Sequence, residues 1–584
     1  LTGTGTASLG GTVAIGAAST IGGTGTLTLS GVVSGTALTK TGAGTLILSG
    51  ANTHTGLTTI SVGTLVANNN AALGATLGGT SVAGGATLEI TNGTVIGAET
   101  LNVSGAGVGS NGALVVTSGS ASIAGAVTLD ASVSIGGNGS LTLGGAVEDT
   151  APGTSTLTQV GSGTLTFSGT VGATNALAGM TTSVGQATVI NGGSVTTTGN
   201  QSYAGSLTTG GATALTATAG AITATGIVTA TAGTLTLAAA STGDISFNNA
   251  GNNFGTVAIT SGKDVILRDG NDLTLGTSGF AGTLTANASG KITLGGSLTA
   301  GGAGDAIVLV AGTDFDNSGN HSLNPGTGRW LVYSTDPGND TRGAGLLAAY
   351  DFKQYNTTFG GGILGTGDGF IYSLAPTITA GLTGTASKVY NGNASAALAP
   401  ANYTVTGVVD GDTVTLNNPA TGSYDDKNVG AGKTVTVTGI GFVSTENSGK
   451  PVYGYQLAST TANANIGEIT PKALTSVSLT GSVSKVYDGT ATVANLGTAN
   501  YSIAGFIGGE GATITNTTGS YDNGANVAAN PAGSAVTSTA LVAGDYSANV
   551  GTTLSNYTLI TGPVVGNIGE ITPKALTSVS LTGS

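Results

Sequence analysis

A short phrase recurs along the first part of this chain: GTLTLSG at Gly25–Gly31, GTLILSG at Gly44–Gly50, GSLTLGG at Gly139–Gly145, GTLTFSG at Gly163–Gly169 and GTLTL at Gly233–Leu237. Apolar and polar positions alternate within each copy, which is the period of a β-strand with two different faces. In Gly44–Gly50, Leu46 and Leu48 fall on one face and Thr45, Ile47 and Ser49 on the other. Glycine at each end permits the positive φ of a sharp corner. One such unit cannot bury its apolar row alone, but stacked as coils of a solenoid each covers the next. The pattern predicts an all-β chain in which residues 1–335 form a right-handed parallel β-helix. Its narrow interior would hold Val, Leu, Ile, Ala and Thr, with little space for aromatics. Coils of ~20 residues stacked ~4.8 Å apart would give roughly 16 coils and a rod of roughly 80 Å. The uneven spacing of the copies leaves the coil register open.

The pattern changes near Pro376. SKVYNG at Ser387–Gly392 returns as SKVYDG at Ser484–Gly489, and TGSYDD at Thr421–Asp426 returns as TGSYDN at Thr518–Asn523. Eighteen residues, NIGEITPKALTSVSLTGS, are identical at Asn465–Ser482 and Asn567–Ser584. These repeats define two modules, 376–470 and 471–572, with 573–584 as the start of a third. Alternation such as TVTVT at Thr434–Thr438, together with recurrent tyrosines, predicts small β-sandwich modules in tandem. Pro471 and Pro573 would stiffen the joints. Because the sequence stops inside a repeat and opens without Met or a secretion signal, it reads as a window on a longer tandem array. Segment 336–375 fits neither pattern. Trp330, Arg329, Arg342, Tyr333, Tyr350, Phe352, Tyr355 and Phe359 cluster in and just before it, and it is the natural cap or transition at the end of the solenoid.

Composition narrows the function classes. Only 7% of the 584 residues are charged and 105 are glycine, yet 39% are hydrophobic. That hydrophobic content argues for ordered β structure rather than disorder. The net charge of −13 opposes nucleic-acid binding, which needs a basic face. Cysteine is absent, which excludes disulfides and thiolate chemistry. No apolar run is long enough for a transmembrane helix. Residues 150–243 carry no charge at all, and ten of the 15 tyrosines lie beyond residue 376, so two architectures are joined.

At this point the residues resemble known families. Leu38–Ala67, LTKTGAGTLILSGANTHTGLTTISVGTLVA, resembles the autotransporter-associated β-strand repeat of bacterial passenger domains. Gly328–Pro337 (GRWLVYSTDP) followed by Tyr350–Asn356 (YDFKQYN) resembles the C-terminal β-helix region of filamentous-haemagglutinin-like exoproteins. The paired KVYNG and KVYDG segments resemble tandem YDG domains. The resemblance implies a large exported adhesin or surface filament of a Gram-negative-type bacterium, located extracellularly at the cell surface. It also implies an outer-membrane secretion partner. The first copy reads Tyr390-Asn391-Gly392, so an Asp is not indispensable in that turn.

Candidate chemistry is sparse. No catalytic or cofactor-binding set is expected, and no Ser/His/Asp order has motif support. His54 and His321, the two imidazoles, are expected in surface or turn roles. Asp269–Leu273 (DGNDL) has the look of a calcium-binding nonapeptide but stands as a single copy, and is expected to be a β-helix turn. Asp410, Asp412, Asp425 and Asp426 gather carboxylates that could hold Ca²⁺ between modules, with solvated turns as the competing reading. Tyr390, Gly392, Tyr487, Asp488 and Gly489 are assigned as structural hairpin-turn residues, each Tyr packing beneath its turn, and Trp330 as a structural anchor. Asn92, Asn287, Asn402 and Asn556 begin Asn-x-Ser/Thr triplets.

The expected function is a section of a secreted adhesin, in which a stiff β-helical stalk and repeat modules attach to glycans or matrix proteins of a host or neighbouring cell through many weak contacts. One rival is a structural subunit that self-associates into an extracellular filament or sheath. Another is a polysaccharide-active β-helix enzyme, which would need two carboxyl groups at a set separation in a cleft.

Overall fold

The computed structural model describes every residue except 1, 2, 17, 18, 494, 581, 583 and 584. The chain divides into two compact units, Leu1–Ala375 with Asn447–Gly454, and Pro376–Glu446 with Tyr455–Ser584.

The first unit is a parallel β-solenoid of about 15 turns. Its strands stack in register, like over like. Leu27 pairs with Leu46, Leu46 with Leu65, Leu65 with Leu88 and Leu88 with Leu114. The strand Thr45–Leu48 alternates half-buried and buried positions, with Leu46 and Leu48 inward as its sequence pattern requires. Successive partners on this ladder lie 19, 19, 23 and 26 residues apart. The strands keep register while the corners absorb the length differences, so copies of the phrase are unevenly spaced in sequence yet aligned in space. Where coils meet at a corner, glycine is required by close approach: a Cβ on Gly44 would lie 2.0 Å from the Gly25 carbonyl oxygen of the coil below.

The interior admits more aromatics than expected. Phe167, Tyr203, Phe247, Phe254 and Phe315 are all buried there. The ladder shows how they fit: Ala224 lies between Tyr203 and Phe247 on consecutive coils, and Phe280 faces Ala300. A small residue above or below the ring makes room for Tyr203, Phe247, Phe254 and Phe280, whereas Phe167 lies between Leu143 and Ile190 and Phe315 pairs with Ile292.

Several buried polar groups are partnered between coils, although His54 Nδ1 is buried without a hydrogen-bond partner. Asn52 accepts from the Val33 amide at 2.8 Å and donates to the Ala72 carbonyl at 2.6 Å, spanning three coils. Asn252 repeats this, accepting from Val228 and donating to Phe247 and Arg268 carbonyls. Lys40 is 2% exposed, and its Nζ donates to the carbonyls of Thr41, Gly42 and Val62 at 3.0, 2.7 and 2.9 Å. His54, expected at the surface or in a turn, lies in an irregular corner but is fully buried, its Nε2 2.7 Å from Thr58 Oγ1. The Gly74 backbone comes against the imidazole, where a Cβ would lie 2.6 Å from Nε2, and burial lowers the pKa of His54. At Asp269–Leu273 the carboxylates serve the turn: Asp269 accepts from the Phe254 and Asn271 amides, and Asp272 from the Lys291 amide.

The C-terminal end of this unit is aromatic. Trp330 is fully buried, with its ring 5.0 Å from Phe370, while Tyr350 packs 5.8 Å from the same ring. Tyr355 stacks on Tyr372 at 5.5 Å. The strand Lys450–Tyr453, distant in sequence, completes this end by pairing in parallel with Phe352–Gln354. Lys450 lies over the Tyr350 ring at 4.2 Å and donates to the Ala348 and Tyr350 carbonyls.

The second unit consists of small β-sheets built twice on one plan. In the first module the strands Ala386–Val389, Thr461–Thr470, Gly430–Thr438, Thr421–Tyr424 and Ser395–Ala397 form a five-stranded sheet in that order. In the second, Val483–Val486, Val565–Thr572, Ser534–Ser538, Gly519–Tyr521 and Thr492–Val493 repeat the order. Each sheet is antiparallel except for its first pair. Apolar side chains of both copies form one continuous core cluster, including Tyr390, Tyr424, Val435, Tyr521, Val536 and Tyr557.

Glu99 supplies a test of the solenoid interior. It is 2% exposed, and Thr80 Oγ1 donates to its Oε1 at 2.5 Å. Burial pushes its pKa up to about 7, against the lowering effect of the Thr80 hydrogen bond. Between the ordinary carboxyl value and about 7, the folded chain holds a proton that the unfolded chain releases. Stability contributed here is therefore greatest below the ordinary value and falls as pH rises towards 7, by about 3 kcal/mol in all. Glu99→Gln should remove this share of the slope, read as a shallower fall of the thermal unfolding temperature between pH 5 and 7 (roughly the window of the shift), with Asp340, raised to about 6, still contributing its own.

Candidate functional site: the joint between the repeat modules

The YxG turns are organised by a lysine two residues before the tyrosine. Lys388 Nζ donates to Asn391 Oδ1 at 3.0 Å and to the Asn393 and Ser395 carbonyls at 2.6 and 2.9 Å, and lies over the Tyr424 ring at 5.1 Å. Lys485 does the same in the second copy, donating to Asp488 Oδ1 at 2.8 Å and the Thr490 carbonyl at 2.7 Å, above Tyr521. The Asn or Asp oxygen also accepts a backbone amide two residues on, from Asn393 or Thr490. A carbonyl oxygen suffices for both tasks, which explains why Asn391 can stand where Asp488 stands. The Lys485 hydrogen bond holds the Asp488 carboxyl well below the usual carboxylate range. Gly392 and Gly489 take φ of 83° and 81°, which a side chain would strain.

The tyrosine that packs beneath each turn is Tyr424 or Tyr521. Tyr390 instead reaches away into the joint with the second module, where it is 1% exposed. Its hydroxyl donates to Glu510 Oε1 at 2.6 Å, and the Tyr557 hydroxyl donates to Glu510 Oε2 at 2.7 Å. Lys427 Nζ lies 3.1 Å from Oε1, and the Glu510 side chain is only 7% exposed. The Tyr390 and Tyr557 rings meet edge to face at 5.4 Å, with Phe506 4.6 Å beyond. Ile507 seats directly on Gly392, where even a Cβ would lie 2.2 Å from its Cδ1. On the flank, Asn556 accepts from the Val429 amide at 2.8 Å and donates to Asn428 Oδ1 at 3.0 Å. Asn556 is fully buried, so this Asn-x-Ser/Thr triplet is closed to glycosylation in the folded chain. The linker joins in: Lys472–Ala473 pairs with Tyr557–Thr558, and Leu474 is buried.

The Glu510–Tyr557 pair has a counterpart one module earlier. Tyr455 donates to Asp412 Oδ2 at 2.9 Å and accepts from the Val409 amide, as Tyr557 accepts from the Ile507 amide. Each module thus carries an acid–tyrosine socket and a YxG plug. The position of the acid is marked in the sequence, because Gly407–Leu416 (GVVDGDTVTL) aligns with Gly505–Ile514 (GFIGGEGATI) and sets Asp412 against Glu510, but the tyrosine each acid meets lies 43 or 47 residues further on, outside that motif.

Of the carboxylates considered for Ca²⁺, Asp425 and Asp426 both hold Lys433 Nζ, at 2.9 and 2.8 Å, and Lys433 is 8% exposed. Asp412 serves the socket. Among the described residues no group of three or more His, Asp and Glu is placed to hold a metal ion.

On the solenoid, a surface cleft of about 360 Å³ is lined by Asn248, Ile266, Arg268, Thr285, Asn287 and Phe359. Asn248, Arg268 and Asn287 project from adjacent coils, and Phe359 packs edge to face on Tyr333 at 5.5 Å. Phe359 is 48% exposed.

Comparison with known families agrees with this architecture. A YDG domain model matches residues 375–462, a Passenger-associated-transport-repeat model residues 38–67, and a model of repeats of unknown function residues 192–261 and 262–326. The chain fits an autotransporter-like surface protein with a YDG domain. No curated protein and no solved structure gives a significant match. The second module lies outside the YDG match but shares the strand order and the lysine-clamped turn of the first. The passenger repeat contains Lys40 and His54, so both buried side chains belong to the coil that this repeat specifies.

The joint should respond to acid through Glu510. Partial burial acts to raise its pKa, but hydrogen bonds from Tyr390, Tyr557 and Lys427 outweigh that and hold it below the ordinary value. Its contribution is therefore present above the ordinary carboxyl pKa and lost as pH falls through the lower folded value. Glu510→Gln should weaken the joint by about 2 kcal/mol at neutral pH, the scale of hydrogen bonds to a charged group. The expected readout is faster hydrogen exchange in the peptides holding Tyr390 and Tyr557 while solenoid peptides keep their protection.

Proposed function

We propose that this chain is a section of a secreted, cell-surface adhesin of a Gram-negative-type bacterium, with the solenoid as stalk and the modules as its extension. The observation that carries this reading is the unbroken stack of coils in the unit matched by passenger-associated repeats. Such a stack gives a regular outer face on which weak contacts can repeat. The Arg268–Phe359 cleft offers a cation, amide groups and an exposed ring in one place, the mixture that holds a sugar by hydrogen bonds and a stacked face. Glycans and matrix glycoproteins of a host or neighbouring cell are the partners this surface suits, with an outer-membrane partner for export. A structural passenger rather than an enzyme accounts best for the solenoid and its passenger repeat.

A self-assembling filament or sheath subunit is the second reading, favoured by apolar side chains left outward on the coils, including Val184 at 84% and Leu77 at 99% exposure. The full chain should bind surfaces coated with glycans or matrix glycoproteins saturably, and Arg268→Ala with Phe359→Ala should weaken that binding about tenfold, a change of roughly 1.4 kcal/mol. No binding to any coated surface, together with sedimentation that rises with chain concentration, would replace attachment by self-assembly.

A further inference from the structure

The second unit carries the same turn twice, covered in the first module and open in the second. Tyr390, Gly392 and Val389 of the first module correspond to Tyr487, Gly489 and Val486 of the second. The lysine clamp, the strand order and the positive φ of the glycine are the same in both. What differs is cover. Tyr390 is 1% exposed because Glu510, Tyr557 and Ile507 lie against it, whereas Tyr487 is 40% exposed. The linker shows the same contrast. Leu474, within Asn465–Ser482, is buried at 5% by the second module, while its twin Leu576, in an identical sequence, is 88% exposed.

We propose that the Tyr487 turn is a docking face for a further YDG-type module, entered through the repeated segment Asn567–Ser584, which presents an acid and a tyrosine in the positions of Glu510 and Tyr557. The occupant is set by continuity with the joint already formed inside the chain: the same eighteen residues lead in the first instance into a module bearing this socket. In the docked state the Tyr487 hydroxyl donates to the incoming carboxylate and an apolar side chain seats on Gly489, as Ile507 seats on Gly392. The second plug is not identical to the first. Gly524 and Ala525 stand where the first module has Lys427 and Asn428, so the incoming carboxylate is held without the ammonium and the joint is weaker than its predecessor. The inference rests on the repeat geometry and is independent of what the surface protein attaches to.

The test is nitration of tyrosine by tetranitromethane, read by peptide mass spectrometry on the full chain. A second chain is extended after Ser584 by a copy of residues 483–572 carrying Tyr487→Phe, so that only the resident Tyr487 yields the reporter peptide. The resident Tyr487 should react readily in the unextended chain and about tenfold more slowly in the extended one, the factor that roughly 1.4 kcal/mol of docking produces. Replacing Glu510→Ala in the appended copy should restore the faster rate. Equal rates in both chains, with the appended copy showing its own protected Tyr521, would overturn the proposal. Protection of Tyr487 in the unextended chain that grows with concentration would overturn the serial arrangement in favour of docking by a second copy.

Discussion

A parallel solenoid has to satisfy its backbone hydrogen bonds along the stacking direction, one coil upon the next, and everything else in the first unit follows from this. No coil closes on itself. Each strand offers its amides and carbonyls to strands about twenty residues away, so register between coils matters more than any contact within a coil. That requirement selects alternating Leu and Thr in strands and glycine where coils come within contact distance at corners. It also tolerates variable corners, because loops outside the ladder can lengthen without disturbing the pairing. The change from 19 to 26 residues between ladder partners is absorbed in this way.

The second unit solves a different problem. A module of about a hundred residues buries a modest core, and these two enlarge theirs by sharing it. Tyr390 and Tyr557 belong to different copies but to one apolar cluster, and Glu510 is held between them. A carboxylate in such a place costs desolvation, and its three donors offset that cost only when both modules are seated. The joint therefore couples the docking of one module to the correct folding of its neighbour.

How much of this was readable in the sequence depends on the kind of interaction. Period-two alternation places Leu46 and Leu48 inside without ambiguity, and the repeated SKVYxG and TGSYD segments mark the modules. The class of fold follows from those patterns. Interior aromatics were misjudged because a ring is accommodated by the residue one coil away: Ala224 makes room for Tyr203 and Phe247, and that adjacency exists only once register is known. His54 lies in a corner, as a turn residue would, but its burial depends on Thr58 at the start of a strand and Gly74 in the next corner, which meet it only once the coils are stacked. The joint is hard to read because it pairs the YxG tyrosine with an acid 120 residues later, and the aligned turns around Asp412 and Glu510 mark the acid without naming its partner.

In a chain with so few charges, four lysines share one use. Lys40, Lys388, Lys450 and Lys485 each donate to two or more oxygens of turns or, for Lys450, of the end of the short helix Ala344–Ala349, carbonyls above all. Of these, only Lys485 bonds a carboxylate as well. Burial lowers the pKa of Lys40 and Lys388, as expected of ammonium groups held by dipoles rather than by counter-charges. A carbonyl ring of this kind suits a repeat protein. It fastens a turn using backbone atoms that every sequence supplies, so the neighbouring residues remain free to drift between Asn391 and Asp488, or between one coil and the next, while the geometry is kept. Other lysines meet carboxylates, as Lys433 meets Asp425 and Asp426, and Lys427 does so on Glu510 at the joint, where side chains from two modules must recognise each other and backbone atoms alone would not distinguish the right neighbour from a wrong one.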